Sequence, residues 1–235
     1  MAGDESFQAT NTPFDLSKYE GPYEAGRIRI LESLIPTVSG GCAVDIGCGP
    51  GFYSRLLASR GFAPTSIDTD AANLASAGRF AAETCQGDAV EVLARLPAAK
   101  FQLALALEII EHMPKSRGET LLERVHRLLA RGGTLLLSTP NRYSLEGLVG
   151  YYVTEKLRGK AVWKAWDPTH VHIYTSFEIV RTLRAHGFAI RSATGYDYKL
   201  PLPGGLGRLP LGPSHTRLFP LNRFAFNLVF ECVKP

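Results

Sequence analysis

Cysteine is scarce in this chain: Cys42, Cys48, Cys85 and Cys232 stand far apart, and no C-x-x-C pair occurs. That spacing excludes a zinc ribbon or a dithiol redox site, and the apolar or glycine-rich neighbours of each mark reduced packing residues. Long apolar runs are missing as well. The purely apolar run on the fourth candidate strand extends only from Leu103 to Leu107, against the roughly 20 residues a helix needs to cross a bilayer. The first residues, MAGDESFQATNTPFD, show no basic stretch followed by an apolar one, so no export signal is expected and the chain reads as cytoplasmic. A strong excess of one charge is also absent, the net value being +4. It is unevenly shared: residues 1–110 hold 8 basic and 13 acidic side chains, and residues 111–235 hold 18 and 9. The basic half is either a solvated face or a surface for an acidic partner.

What the chain does have is 235 residues, 45% of them hydrophobic, enough for one substantial core and hence a single domain over 1–235. Short apolar runs alternate with helical patterns. CAVDIG, PTSID, ETCQGDA, FQLALALEII and GTLLLSTP are expected as strands, and RLLASR, AANLASAGRFAA and GETLLERVHRLLA as the helices between them. This alternation predicts an α/β fold with a doubly wound parallel sheet covered on both faces. Residues 15–35 are expected to form a leading helix, within a helical cover over 1–35 that carries Tyr19 and Tyr23. Residues 145–168, with Lys156, Arg158, Lys160, Lys164, Trp163 and Trp166, and residues 199–222 are expected as inserted covers over a substrate. Between them Ser176 is placed to cap the helix SFEIVRTLRAH, with Gly187 ending it. FAIRSATGYDY follows as a sixth strand, the proline- and glycine-rich segment from Pro201 to Pro220 as a loop, and FAFNLVFECV as a closing seventh strand.

The segment VDIGCGPG, residues 44–51, carries the strongest chemical signal. A strand ending in Asp45 and turning through Gly47, Gly49 and Gly51 into a helix brings backbone, not side chains, against a ligand, and the helix start favours an anionic group. The dinucleotide fingerprint needs glycine where Phe52 stands, so it is not met. Asp68 ends the second strand, where a carboxylate can accept both hydroxyls of a ribose, and Asp88 follows the third, where it can accept from an adenine amino group. Asp45 can accept from an ammonium. Ammonium, carboxylate, ribose and adenine together describe S-adenosylmethionine.

In VDIGCGPG, SIDTD, QGDA and FQLALALEIIEHMP the chain resembles the class I S-adenosylmethionine-dependent methyltransferases. The resemblance implies a Rossmann-like, seven-stranded sheet, mostly parallel with an antiparallel last strand. It also implies that Gly47, Gly49, Asp68, Asp88 and the backbone at Ala89 hold the cofactor. Tyr19 and Tyr23 either close over that cofactor or pack on the core.

Glu108-Ile-Ile-Glu111-His112 follows the fourth strand, and one helical turn there would put positions 108, 111 and 112 on a common face. Such a set can hold a divalent ion, with His170 or His172 of DPTHVHIYT as a further donor. The pattern is similar to the E-x-x-E-H signature of small-RNA 3′-terminal 2′-O-methyltransferases, whose spacing selects His170, and to that of ubiquinone-pathway O-methyltransferases. The resemblance implies Mg²⁺, or Mn²⁺, at Glu108, Glu111, His112 and His170. Without a metal, His112 or His170 becomes the general base with Glu111 orienting it, and Glu108 bonds near the methionine end of the cofactor. The expected activity is O-methylation of a small metabolite, such as a phenolic, polyketide or sugar-bearing compound, acidic or chelating. RNA ribose methylation is a second reading, disfavoured because only four basic residues lie in the tryptophan-bearing insert. A cofactor-binding partner subunit without turnover and a nicotinamide dehydrogenase are alternatives from other classes.

Overall fold

The computed structural model of the chain describes residues 22–150, 156–157, 159, 164–165, 167–201, 208–211 and 215–235, with only the backbone of 22, 23, 201, 208 and 210. Three βα units come first. Helix α1 (Pro22–Leu34) leads into β1 (Cys42–Ile46), α2 (Phe52–Ser59), β2 (Ala63–Asp68), α3 (Ala71–Ala77), β3 (Glu83–Gln86) and α4 (Ala89–Arg95). Strand β4 (Phe101–Leu107), a 3-10 turn at Ile110–His112, α5 (Lys115–Leu128), β5 (Leu129–Pro140) and α6 (Leu145–Val149) follow. The remainder comprises α7 (Ser176–Ala185), β6 (Ala189–Tyr196), β7 (Lys199–Pro201), β8 (Arg208–Pro210), β9 (His215–Thr216), a 3-10 turn at Leu221–Phe224 and β10 (Asn227–Val233).

The main sheet has eight strands in the order β3-β2-β1-β4-β5-β10-β6-β9. Strands β1 to β5 run parallel, while β10 is antiparallel to both β5 and β6. The α/β class and the reversed last strand are as expected, but the count of seven is corrected by β9. This edge strand of two residues pairs with β6 from inside the segment expected to be a loop. A separate ribbon, β7 with β8, forms at the start of the same segment. Proline and glycine there limit strand length rather than preventing pairing. Two helices escaped the sequence pattern, α4 and α6, of seven and five residues, too short for a clear helical period. The cap of α7 is likewise corrected: the Thr175 hydroxyl, not Ser176, accepts from the Glu178 amide.

Strand β4 is central, and its apolar run is buried on both faces as such a position requires. On one face α4, α5 and α7 contribute Leu93, Leu121, Val125, Ile179 and Leu183 to the larger core. On the other, α1 and α2 contribute Leu31, Tyr53 and Leu57. The two layers leave the C-terminal ends of β1, β2 and β4 open at the point where strand order reverses, the position at which α/β sheets form crevices. Among the described residues, no helix is long and apolar enough to cross a membrane.

Candidate active site

At the end of β1 the chain turns through Gly47 and Gly51, with φ of +69° and +94°. Both values lie in the left-handed region that favours glycine. Space demands it as well: a Cβ on Gly51 would stand 2.5 Å from Ala77 Cα, and one on Gly47 would stand 3.0 Å from Ile109 Cδ1. The turn is tied to β2 from above and below. The amides of Gly47 and Cys48 donate to the Ile67 carbonyl, and the Gly49 amide donates to Asp68 Oδ2 at 2.8 Å. Asp68 Oδ1 accepts from the Asp70 amide at 2.9 Å and from Asn73 Nδ2 at 3.3 Å.

A cleft of about 360 Å³ opens in front of this turn, lined by Gly47, Asp68, Asp88, Ala89, His112 and Arg117 among others. Asp68, Asp88 and Ala89 thus line one cleft, and both acids are already engaged. Asp88 caps α4 through the Glu91 amide and pairs with Arg117 at 2.5 Å. Partial burial would raise its carboxyl, yet these bonds outweigh it and hold the group below the usual carboxylate range. Arg117 is a cleft residue that the sequence did not reveal, since only the fold brings it to Asp88.

Asp45, expected to accept from an ammonium, lies beneath the turn. It is 2% exposed and accepts from Ser54 Oγ at 2.7 Å, with Ser66 next along the chain of hydroxyls. Burial pushes its carboxyl up to about 6, against the Ser54 bond that lowers it. In the folded protein Asp45 therefore keeps its proton up to about pH 6, whereas unfolded it loses it near 3.8. Between those values the native state binds more protons, so this group's contribution to stability falls as pH rises, by ~3 kcal/mol in all. Denaturant unfolding of the cofactor-free protein should show the advantage of Asp45→Asn over wild type growing from about pH 4 to about pH 7. A difference that stays constant with pH would contradict it.

The four expected metal ligands divide. Glu108 is not part of the same turn: it has a φ of +53° and lies before the 3-10 turn at Ile110–His112. Its carboxylate accepts from Ser138 Oγ at 2.7 Å and lies 3.5 Å from Arg27, which also binds Glu24 and Tyr53. The expected common face for 108, 111 and 112 is thereby corrected. Glu111, His112 and His170 do come together, with ligand atoms all within 4.8 Å of one another. Glu111 is fully buried; Oε2 accepts from Thr139 at 3.2 Å, and Oε1 has no hydrogen-bond partner among the described residues. Burial, and then the charge of Glu108, push its carboxyl well above the usual range. The Glu111 carbonyl accepts from the amides of Val171 and His172, which tacks the 167–173 segment to the turn. His170 and His112 meet edge to face with ring centroids 4.8 Å apart. Burial, then the nearby His112, lower the His170 imidazole. His172 points elsewhere, to Glu178 Oε1 at 3.3 Å and the Tyr174 ring.

Tyr19, Arg158, Lys160, Trp163 and Trp166 lie outside the described residues, as does the Tyr23 side chain.

A family model described as a methyltransferase domain matches residues 19–193. A ubiquinone biosynthesis O-methyltransferase of Leptothrix cholodnii is 28% identical over 186 residues, 73% of this chain and 74% of its own length. One of Idiomarina loihiensis is 29% identical over 64% of this chain and 61% of its own length, so the chain spans less than two thirds of that relative. Among solved structures, a SAM-dependent methyltransferase from Archaeoglobus fulgidus has a TM-score of 0.64 at 19% identity, with 93% of this chain and 97% of that chain covered. At that identity the likeness is one of fold.

Proposed function

The chain belongs to the methyltransferase-domain family, and on that premise we propose that it is an S-adenosylmethionine-dependent methyltransferase whose acceptor is a hydroxyl of a small molecule, best a phenol with a second oxygen beside it. One observation carries this reading: His112 is both a wall of the cleft that opens at the glycine turn and a member of the Glu111–His112–His170 cluster. A proton acceptor therefore stands where the cofactor's cleft meets the rim. The names of the two relatives above, both O-methyltransferases, support an oxygen acceptor.

The sulfonium methyl is already electrophilic, so the protein has two tasks, alignment and removal of the acceptor proton. Alignment falls to the glycine turn with Asp68, and to Asp88 with Arg117 at the far end of the cleft. In this reading Asp68 accepts from the ribose and Asp88 from the adenine amino group. Proton removal falls to His112, whose imidazole lines the cleft. His170 packs on its face and holds it in place.

The same cluster fits a divalent cation. Glu111 has a buried carboxylate oxygen without a hydrogen-bond partner among the described residues, and it clusters with two imidazoles, a donor set suited to a cation. Glu111, His112 and His170 would hold the ion, and two nitrogen donors favour Mn²⁺ over Mg²⁺, which prefers oxygen. Bound there, it would supply Lewis-acid polarisation of the acceptor hydroxyl. Calorimetric titration of chelator-treated protein loaded with S-adenosylhomocysteine tests this. Saturable Mn²⁺ binding, tighter than Mg²⁺ and lost in Glu111→Gln, is expected. Binding that survives in Glu111→Gln would place the ion elsewhere.

A further inference from the structure

Two residues with no part in the chemistry so far, Asp167 and Thr169, reach His112. The Thr169 hydroxyl lies 2.6 Å from Asp167 Oδ1 and 3.0 Å from His112 Nδ1. The Thr169 amide donates to the same carboxylate oxygen at 2.8 Å. A hydroxyl has one proton to give, and an ionised carboxylate can only accept. Asp167 Oδ1 accepts from both the Thr169 hydroxyl and the Thr169 amide. The hydroxyl proton therefore goes to Asp167, and the hydroxyl oxygen is left only to accept from the ring. His112 must then carry its hydrogen on Nδ1. His170 reaches the same state by another route, with Nδ1 2.9 Å from the Lys164 carbonyl, which also can only accept. His112 thereby keeps Nε2 bare, while His170 Nε2 lies 3.9 Å from Asp167 Oδ2.

We propose that Asp167 and Thr169 are positioning residues that lock His112 in its Nδ1–H tautomer, leaving the Nε2 lone pair for the acceptor hydroxyl or for a cation. The inference rests on the reading of His112 as part of the methyl-transfer site. The lock is local. The Asp167 amide donates to Lys164 and the His170 amide to Asp167, closing consecutive turns, and the Glu111 carbonyl pins the next two amides. An unconstrained histidine side chain favours the opposite tautomer, and the partner of one ring nitrogen decides which state is held. The relay is thus required to give this ring its bare Nε2.

Side-chain ¹⁵N spectra of the histidines read the tautomer directly. They are recorded on chelator-treated protein at about pH 8.5, with His112 assigned by its disappearance in His112→Asn. Wild type and Thr169→Ser should show Nδ1 protonated and Nε2 bare. Thr169→Val should move His112 toward the Nε2–H form. Asp167→Ala should do so as well, because a hydroxyl freed from the carboxylate turns its proton toward Nδ1. Turnover with a simple catechol should fall ~10- to 100-fold in Thr169→Val, the usual cost of losing a group behind a functional histidine, and return in Thr169→Ser. An Nε2–H tautomer in wild type would overturn the relay, as would an Nδ1–H tautomer retained in Asp167→Ala. Should Thr169→Val fail to fold, Asp167→Ala decides alone. Absence of transfer to any catechol in wild type would count against the acceptor reading, with the tautomer still deciding the relay.

Discussion

Replacing His112 or His170 with alanine should lower turnover on a catechol acceptor by at least ~100-fold, the range for lost general acid/base assistance. The two variants should differ in a second measurement. His112 lines the cofactor cleft and His170 does not, so only His112→Ala is free to alter the affinity for S-adenosylhomocysteine. His170→Ala should bind it as wild type does while losing the chemical step. That split separates a histidine that serves the acceptor from one that merely supports the fold, because a loosened fold would weaken cofactor binding too. Glu111→Gln should behave like His170→Ala. Near-normal turnover in all three would remove the cluster from the reaction.

The second large effect is expected at Asp68. Its carboxylate accepts from the Gly49 amide, the Asp70 amide and Asn73, while its side chain still lines the cleft. Hydrogen bonds to a charged group are worth about 1.5–3 kcal/mol each. Losing the ribose contact together with the Gly49 anchor should therefore weaken S-adenosylhomocysteine binding about 100-fold in Asp68→Ala. A 2′-deoxyribose analogue distinguishes the two contributions. Wild type should prefer the ribose ligand, and Asp68→Ala should bind both alike. A preference kept in the variant would mean that Asp68 only holds the turn.

The order of these elements was legible because each depends on local pattern. Leu103 to Leu107 is an apolar run with nowhere to go but the centre of a sheet, and Gly47 and Gly51 stand where a side chain would strike Ile109 or Ala77. The acids at the ends of β2 and β3 reach the cleft for the same reason, since a strand end fixes direction. The misplacements have one physical source. Glu108 was put on a helical face because spacing of three and four implies one, but its left-handed backbone breaks the face before it starts. Asp45 precedes the glycines, and the fold sets its carboxylate against the Ser54 hydroxyl. Arg117, Arg27 and the Asp167–Thr169 pair left no trace in the sequence. Their partners, Asp88, Glu108 and His112, are distant along the chain, and only closure of the sheet sets them within bonding distance. The glycine turn and the acids beside it are thus local, whereas the side chains that engage Asp88, Glu108 and His112 are assembled by tertiary contacts.

The central claim is that a single cleft runs from the glycine turn to His112 and delivers a methyl group to oxygen there. Incubation of the protein with methyl-labelled S-adenosylmethionine and a set of catechols, phenols, amines and thiols, with products identified by mass spectrometry, tests it most directly. Label should appear as an aryl methyl ether, fastest on catechols, and should be lost in the His112→Ala, His170→Ala double variant. Label on nitrogen, carbon or sulfur, or a methyl ether formed equally well by the double variant, would contradict it.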